Sequence, residues 1–398
     1  MNKYVSVVFL SVLAFFSSTD ATAQKDSVPV FKVHRIGIFA PLYLDSVFTV
    51  EGKFRYKDGM PKFIVPGIDF VNGAQLALDS IRLQNEEVSA FIYDSKSYLL
   101  PISQLIKTRK LDSLDLIIGS VKDFDYRLLA DFALSKKIPF VSATYPNDGG
   151  VTANPFLVVV NSTLKAHCEA IFSYLLQNHG TDNIFLVRKK GLQEDKVAAY
   201  FKAMNDQDSS HLLNIKTLNL DSTVSANYLK QKLDTTKLNV IIGASLDENF
   251  AASLTASSFA LQDDFAISLI GMPNWGGFKS LMKKEQFTDF PVYVTTPYFN
   301  NKWDDYSKLL VAGYAKKYKG KPSDMVFKGF ECTYLFTRLL TSYPTDMMNH
   351  INDKNFKVFS DYNFRSVLLK KENTLPDYFE NKHLYFIKIM NGTISKAW

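Results

Sequence analysis

Short, mainly apolar runs alternate with helical apolar patterns along most of this chain. Residues 114–118 and 138–141 form two such runs, and the segment between them repeats apolar residues at helical spacing. Runs of this length are typical of strands buried on both faces of a parallel sheet. A right-handed crossover through the intervening helix brings the carboxyl ends of both strands to one edge of that sheet.

The same alternation extends over both halves of the chain. A strand pattern at residues 35–40 is followed by a long helix pattern after Pro66, and comparable units recur up to residue 342. A segment rich in Asn, Gly and Pro at residues 147–155 indicates a crossing into a second domain. Near the end, an Asn-Gly pair at residues 391–392 separates two strand patterns and predicts a β-hairpin. We therefore predict an α/β protein with two similar halves.

Small residues, most of them hydroxyl-bearing, end the two buried strands. Ser120 follows the first strand, and Ser142, Ala143 and Thr144 follow the second. We expect hydroxyls and backbone N–H groups to face a crevice at the carboxyl edge of the sheet, which is where open α/β sheets bind small ligands. Capping of the strand ends is the alternative role for Ser142 and Thr144.

The first residues have the pattern of an export signal. Lys3 precedes an apolar run at residues 5–16, and a small-residue cleavage site ends at Ala23. We expect a signal peptide over residues 1–23 and a periplasmic mature chain, with an uncleaved N-terminal anchor as the alternative. No other apolar run approaches the ~20 residues that a transmembrane helix needs, so membrane insertion is not expected.

Composition narrows the class further. The 398 residues include 32 Phe and 20 Tyr, and a mature chain of about 375 residues exceeds what one core sustains, so two domains are expected. The net charge of +6 is spread along the chain, so nucleic acid is not an expected partner. We expect Cys168 and Cys332 to be two separate buried thiols, although an exported protein could carry a disulfide.

The sequence contains no motif of a catalytic or metal site. The six histidines include no HExxH motif and no pair at helical spacing, which argues against a zinc site on a helix. Neither a G-x-S-x-G elbow nor a P-loop occurs. We expect no enzyme activity, no catalytic residue, no metal and no cofactor.

Several local motifs, in their order along the chain, resemble one protein family. The chain is similar to the type I periplasmic binding proteins, in particular to the branched-chain amino-acid (Leu/Ile/Val) binding branch that serves ABC transporters. The resemblance covers nearly the whole mature chain and is carried by RIGIFAPL (35–42), GIDFVNGAQLALDSI (67–81), LDLIIGS (114–120), KKIPFVSAT (136–144), GFECTYLFTRLL (329–340) and YFIKIMNGTISKAW (385–398).

The resemblance implies a fold and an arrangement of domains. Two doubly wound, Rossmann-like lobes with parallel sheets are joined by three hinge crossings and close over a ligand. Lobe 1 would comprise residues 33–147 and 297–353, and lobe 2 would comprise residues 150–293 and 360–398. The protein is expected to be a monomer.

The resemblance also places Ser120 and the turn from Ser142 to Thr144 against the ligand, where hydroxyls and N–H groups would hold a carboxylate. With candidates from the neighbouring loops, the predicted ligand-binding residues are Tyr43, Ser120, Ser142, Ala143, Thr144, Tyr145, Lys189, Asn274 and Trp275.

The second half departs from the family pattern at two loops. Arg188 and Lys189 stand where the family usually has an aspartate and a tyrosine, and they either meet an anionic group or are solvated. After Gly271, Asn274 and Trp275 replace the acid that pairs with an amino-acid ammonium. An unpaired buried ammonium is costly, which disfavours a zwitterionic ligand. Trp275 either stacks on a ring or sugar face or packs in the core.

Two functional hypotheses follow. In the first, the protein binds a small polar or aromatic molecule and delivers it to a membrane ABC permease. In the second, a regulator with the same fold docks another cell-envelope protein and its cleft is vestigial. A filled cleft beside a broad apolar patch would favour the second hypothesis.

Overall fold

A computed structural model describes residues 33–84, 88–207, 210–221, 223–370 and 372–398. The signal peptide predicted at residues 1–23 lies outside these ranges. Within them, no helix combines the length and the apolar character that a membrane span requires.

Strands and helices alternate as the sequence predicts. The strands are β1 (His34–Ala40), β2 (Val88–Asp94), β3 (Leu116–Gly119), β4 (Phe140–Ser142), β5 (Leu157–Val159), β6 (Asn183–Lys189), β7 (Asp206–Gln207), β8 (Ser210–His211), β9 (Ile215–Leu220), β10 (Asn239–Gly243), β11 (Ile267–Gly271), β12 (Val292–Thr296), β13 (Phe364–Val367), β14 (Tyr378–Asn381), β15 (Tyr385–Met390) and β16 (Thr393–Lys396).

The helices are α1 (Leu44–Val47), α2 (Val65–Arg82), α3 (Ile102–Lys107), α4 (Asp123–Lys136), α5 (Leu164–Asn178), α6 (Leu192–Asn205), α7 (Ala226–Lys230), α8 (Glu248–Phe259), α9 (Asp305–Tyr318) and α10 (Asp324–Ser342). Short 3₁₀ turns occur at Pro273–Gly277, Lys279–Leu281, Met347–Asn349 and Lys354–Phe356.

Two seven-stranded sheets organise the described residues into two lobes. The strand order is β13-β14-β5-β4-β3-β1-β2 in lobe 1 and β16-β15-β12-β11-β10-β6-β9 in lobe 2. Pairing is parallel except at β13–β14, β12–β15 and β15–β16. The predicted class, α/β with two doubly wound lobes, is confirmed.

The apolar runs are strands covered on both faces, as their composition predicts. In lobe 1, Ile36 and Ile38 of β1 point into a buried cluster shared with α2 and α10. Phe39 of β1 and Ile117 of β3 point into the opposite cluster, which is shared with α3 and α4. Helices therefore cover the sheet from both sides, and the strand ends are left as its free edge.

The chain passes between the two lobes three times, as the resemblance implies. The crossings are residues 160–163 after β5, residues 297–304 after β12 and residues 382–384 between β14 and β15. Hydrogen bonds tie the first crossing to the end of β14, directly before the third crossing. Ser162 Oγ donates to the Asn381 carbonyl at 2.6 Å, and the Thr163 N–H donates to Glu380 Oε1 at 2.7 Å.

The predicted lobe boundaries are wrong in two segments. Strand β5, and strands β13 and β14, belong to the first sheet, although the sequence predicts lobe 2 for residues 150–293 and 360–398. The loop at residues 147–155, rich in Asn, Gly and Pro, joins two neighbouring strands of lobe 1. Asn154 Nδ2 in this loop donates to the carbonyl of Ala130 in lobe 1 at 2.9 Å. The crossing comes one strand later because β5 extends the sheet beside β4.

The two cysteines are separate buried thiols, as the sequence predicts. Burial raises the pKa of the Cys168 thiol to about 12, and burial also raises the pKa of the Cys332 thiol. Both side chains are packing residues and stay protonated at neutral pH.

Candidate functional site

A cavity of about 710 Å³ lies between the lobes at the carboxyl ends of their strands. We call this cavity the interlobe cleft. Most of its lining residues are polar. Asn147, Asp148 and Tyr378 come from lobe 1, Asn161 and Thr163 from the first crossing, and Gln193, Lys196, Tyr200 and Asn274 from lobe 2. Position and volume match the ligand sites of open α/β folds.

The structure brings Ser120 and Thr144 together beside this cleft. Their hydroxyl oxygens are 3.0 Å apart and form a hydrogen bond between the ends of β3 and β4. The Ser120 N–H donates to the Phe39 carbonyl at 2.8 Å, which holds the turn against β1. Asn161, which lines the cleft, donates from Nδ2 to the Thr144 carbonyl at 2.7 Å. The two hydroxyls are thus positioned by three neighbouring strands.

Ser142 and Ala143 do not reach the cleft, which corrects the prediction for both side chains. Both are fully buried, and the Ser142 hydroxyl has no hydrogen-bond partner among the described residues. The Ala143 carbonyl accepts a hydrogen bond from the Tyr298 hydroxyl at 2.9 Å. Ser142 is still a strand residue of β4, so its side chain points into the packing between sheet and helix.

Tyr43 and Tyr145 are engaged with neighbours in lobe 1. The Tyr43 N–H donates to Asp94 Oδ1 at 3.0 Å, and its ring packs edge-on against Phe63. The Tyr145 hydroxyl donates to Asp123 Oδ1 at 3.2 Å, and its ring packs edge-on against Tyr126. Both tyrosines keep partial exposure near the strand ends.

The basic run of lobe 2 is neutralised within the lobe. Lys189 Nζ lies 3.1 Å from Asp247 Oδ2, and the Arg188 guanidinium pairs with Asp195. Sequence reasoning missed these pairs because both carboxylates lie on other elements. Asp247 therefore offsets the charge of Lys189 that an anionic ligand would meet.

Trp275 packs in the core of lobe 2, which is the second of the two roles that the sequence leaves open, and it does not line the cleft as a ligand-binding residue. Its side chain is fully buried, and Nε1 donates to the Ser245 carbonyl at 2.8 Å. A Cβ atom on Gly243 or Gly271 would lie 2.2 Å from the indole ring, so these glycines make room for it. The neighbouring Asn274 does line the cleft, and its Nδ2 donates to the Leu246 carbonyl at 2.7 Å.

The cleft contains an acid that sequence reasoning missed. Asp148 lines the cavity and accepts a hydrogen bond from the Tyr378 hydroxyl at 3.3 Å. The loop at residues 272–277, directly after Gly271, contains no acid, and Asp148 in the loop between β4 and β5 supplies one to the cleft instead. A second missed carboxylate, Glu194, is buried behind the cleft and accepts from Ser245 Oγ at 2.6 Å. No cluster suited to a metal ion occurs among the described residues.

A buried histidine at the cleft makes stability depend on pH. His167 of α5 lies in the cleft wall, and its Nδ1 is 2.7 Å from Thr295 Oγ1 of β12. Burial lowers the pKa of His167 to about 3, from an ordinary value of 6.5. The folded protein then binds fewer protons than the unfolded chain between these pH values. This contribution to stability is complete above pH 6.5 and is lost as the pH falls toward 3.

We expect the free energy of unfolding to fall by about 2 kcal/mol more between pH 6.5 and 5 in the native protein than in the His167→Gln variant. Urea denaturation at pH 8, 6.5 and 5 measures the difference. The remaining titratable groups are the same in both proteins, so an equal dependence of the unfolding free energy on pH in the two proteins would contradict this role of His167.

Comparisons with known proteins identify the fold. No protein-family model matches the sequence, and no curated protein matches it. Among solved structures, the chain is similar to a putative branched-chain amino acid ABC transporter protein from Rhodospirillum rubrum, with a TM-score of 0.63, 12% identity, and coverage of 92% of this chain and 100% of that chain.

A periplasmic ligand-binding protein of a branched-chain amino acid ABC transporter from Burkholderia xenovorans has a TM-score of 0.59 and 13% identity, with 92% of this chain and 94% of that chain covered. The substrate-binding protein LivJ from Streptococcus pneumoniae, in complex with isoleucine, has a TM-score of 0.52 and 13% identity, with 92% of this chain and 100% of that chain covered. The chain thus has the fold of the type I periplasmic binding proteins, as its motifs indicate.

Proposed function

We propose that this protein is an extracytoplasmic solute-binding protein. It closes its two lobes over a small polar or aromatic ligand in the periplasm and delivers the ligand to a membrane ABC permease. The main support is the interlobe cleft, a cavity of about 710 Å³ bordered by the carboxyl ends of both sheets. Since side chains leave this volume open, the cleft favours ligand capture over the docking regulator with a vestigial site.

The lining indicates a polar ligand with several hydrogen-bonding groups. Asn147, Asn161 and Asn274 offer amides that both donate and accept, and Asp148 and Lys196 offer one charge of each sign. The loop after Gly271 has no acid to pair with a ligand ammonium, and Asp148 could serve as that partner. We propose that the Ser120 and Thr144 hydroxyls contact the ligand when the lobes close.

We expect a thermal-shift screen of amino acids, purines, sugars and wall fragments to find a stabilising ligand for the mature protein. The dissociation constant of that ligand, measured by titration calorimetry, should rise about tenfold in Ser120→Ala and in Thr144→Val, because each change removes one hydrogen bond. Ser135→Ala, which removes a local hydroxyl on α4, is the matched control and should bind normally. Absence of any ligand across these classes would contradict the proposed function.

A further inference from the structure

A second cavity of about 750 Å³ opens beside the interlobe cleft. Both lobes form it: the start of α10 and the second crossing come from one side, and the 3₁₀ turn Pro273–Gly277 and the hairpin β15–β16 come from the other. Pro273 and Thr296 line both cavities, so the two spaces share a wall. We call this second space the α10 cavity.

Lys328 of α10 supplies a cation without a counter-ion to the α10 cavity. Its side chain is partly buried, and Nζ lies 4.3 Å from the centroid of the Tyr298 ring. Among the described residues, Lys328 has no carboxylate within 4 Å and no hydrogen-bond acceptor. By contrast, Lys302 in the same wall pairs with Asp324 at 3.0 Å. Burial lowers the pKa of Lys328, and the charges of Asp324 and Glu331 act in the opposite direction.

Glu331, the buried carboxylate three residues after Lys328 on α10, already accepts hydrogen bonds within the protein. Glu331 is 2% exposed and accepts hydrogen bonds from the N–H groups of Phe359 and Ser360, the latter at 2.5 Å. It also accepts from Ser360 Oγ at 2.9 Å and from the Tyr362 hydroxyl at 2.8 Å. Since Glu331 is held by these four donors, the ammonium of Lys328 is left for an acceptor that enters the cavity.

The remaining walls are aromatic and aliphatic. Phe299, Phe327, Phe359 and Trp303 line the cavity, and Ile387 closes it on the side of lobe 2. Trp303 is 78% exposed, so its indole is accessible from solvent. The cavity thus combines the uncompensated charge of Lys328 with a large apolar surface. Lys396 of β16 is a second lysine in the lining without a carboxylate within 4 Å among the described residues, and its Nζ lies 5.6 Å from the centroid of the Tyr385 ring.

We infer that the α10 cavity is a second binding site, specific for a carboxylate with an aromatic body. The carboxylate accepts a charge-assisted hydrogen bond from Lys328 Nζ, and the ring packs between Phe327, Phe359 and Trp303. Because both lobes line the cavity, occupancy depends on the angle between them. This inference goes beyond the proposed function, since it requires no ligand in the interlobe cleft.

The test uses the mature full chain and two matched probes, phenylacetate and its uncharged analogue phenylacetamide. In titration calorimetry we expect phenylacetate to bind at least about tenfold more tightly than phenylacetamide. Lys328→Met should remove this preference, and Lys328→Arg should retain most of it. Lys317→Met, which removes a lysine paired with Asp79 elsewhere in lobe 1, should bind as the native protein does.

Further variants separate this site from the interlobe cleft. Ser120→Ala should leave phenylacetate binding unchanged, and Trp303→Phe should abolish the change in tryptophan fluorescence that the probe causes. The inference is overturned if phenylacetate does not bind, if Lys328→Met binds it normally while remaining folded, or if only Ser120→Ala weakens it. The last result would place the probe in the interlobe cleft and would leave the proposed function intact.

Discussion

Replacing Trp275 with alanine is expected to lower the free energy of unfolding by about 4 kcal/mol. The indole is fully buried, sits against Gly243 and Gly271, and donates its N–H to the Ser245 carbonyl. Truncation removes a large apolar contact, leaves a cavity beside two strands and deprives a buried carbonyl of its donor.

Urea denaturation, followed by far-ultraviolet circular dichroism, measures this loss. Trp303→Ala is the matched control, because Trp303 is 78% exposed and its removal should change stability by less than about 0.5 kcal/mol. Equal midpoints for the two variants would show that Trp275 does not hold lobe 2 together.

Replacing Gly73 with alanine should cost about 3 kcal/mol of stability. Helices α2 and α10 touch at this residue, and a Cβ atom on Gly73 would lie 2.0 Å from the Val326 carbonyl oxygen. Gly329 of α10 is in the reciprocal position, since its Cβ atom would lie 2.0 Å from the Phe70 carbonyl oxygen. Each obstacle is backbone, so no side-chain rotation relieves it and the helices must move apart.

Gly313→Ala serves as the control, because it should raise the free energy of unfolding, whereas Gly73→Ala should lower it. Gly313 lies in α9 with no heavy atom within 4 Å of its added Cβ, so alanine should stabilise the protein by about 0.5–1 kcal/mol through helix propensity. The same urea experiment compares both variants. A stabilising effect of Gly73→Ala would disprove the close approach of the two helices.

Much of the fold is readable from local patterns. The apolar runs at residues 114–118 and 138–141 become β3 and β4, and the Asn-Gly pair of the tail becomes the turn between β15 and β16. Parallel strand ends meet at one edge, and for that reason the contact between Ser120 and Thr144 is also predictable. The boundary between the lobes cannot be predicted in this way, because a turn-rich loop has the same composition within a lobe as between lobes.

The site shows where local patterns stop being informative. Strand β4 ends at Ser142, whose hydroxyl is buried, whereas Thr144 lies two residues beyond the strand and its hydroxyl meets Ser120. The alternation of side chains along a strand does not extend past the strand end, so the sequence pattern does not separate these two hydroxyls. Trp275 sits in a glycine-rich loop, yet its environment is made by Gly243, a residue of another strand.

Class, alternation and sheet edges thus follow from the chain's periodicity, because apolar spacing reflects which face of each element is buried. Periodicity does not predict which hydrogen-bond or ion-pair partner each polar group has, because the partners lie far apart in the sequence. Asp247 neutralises Lys189 and Ser245 accepts from Trp275, whereas Lys328 meets no carboxylate among the described residues. The tertiary structure decides which polar groups come within hydrogen-bonding distance of each other. It therefore also decides which charges remain available to a ligand.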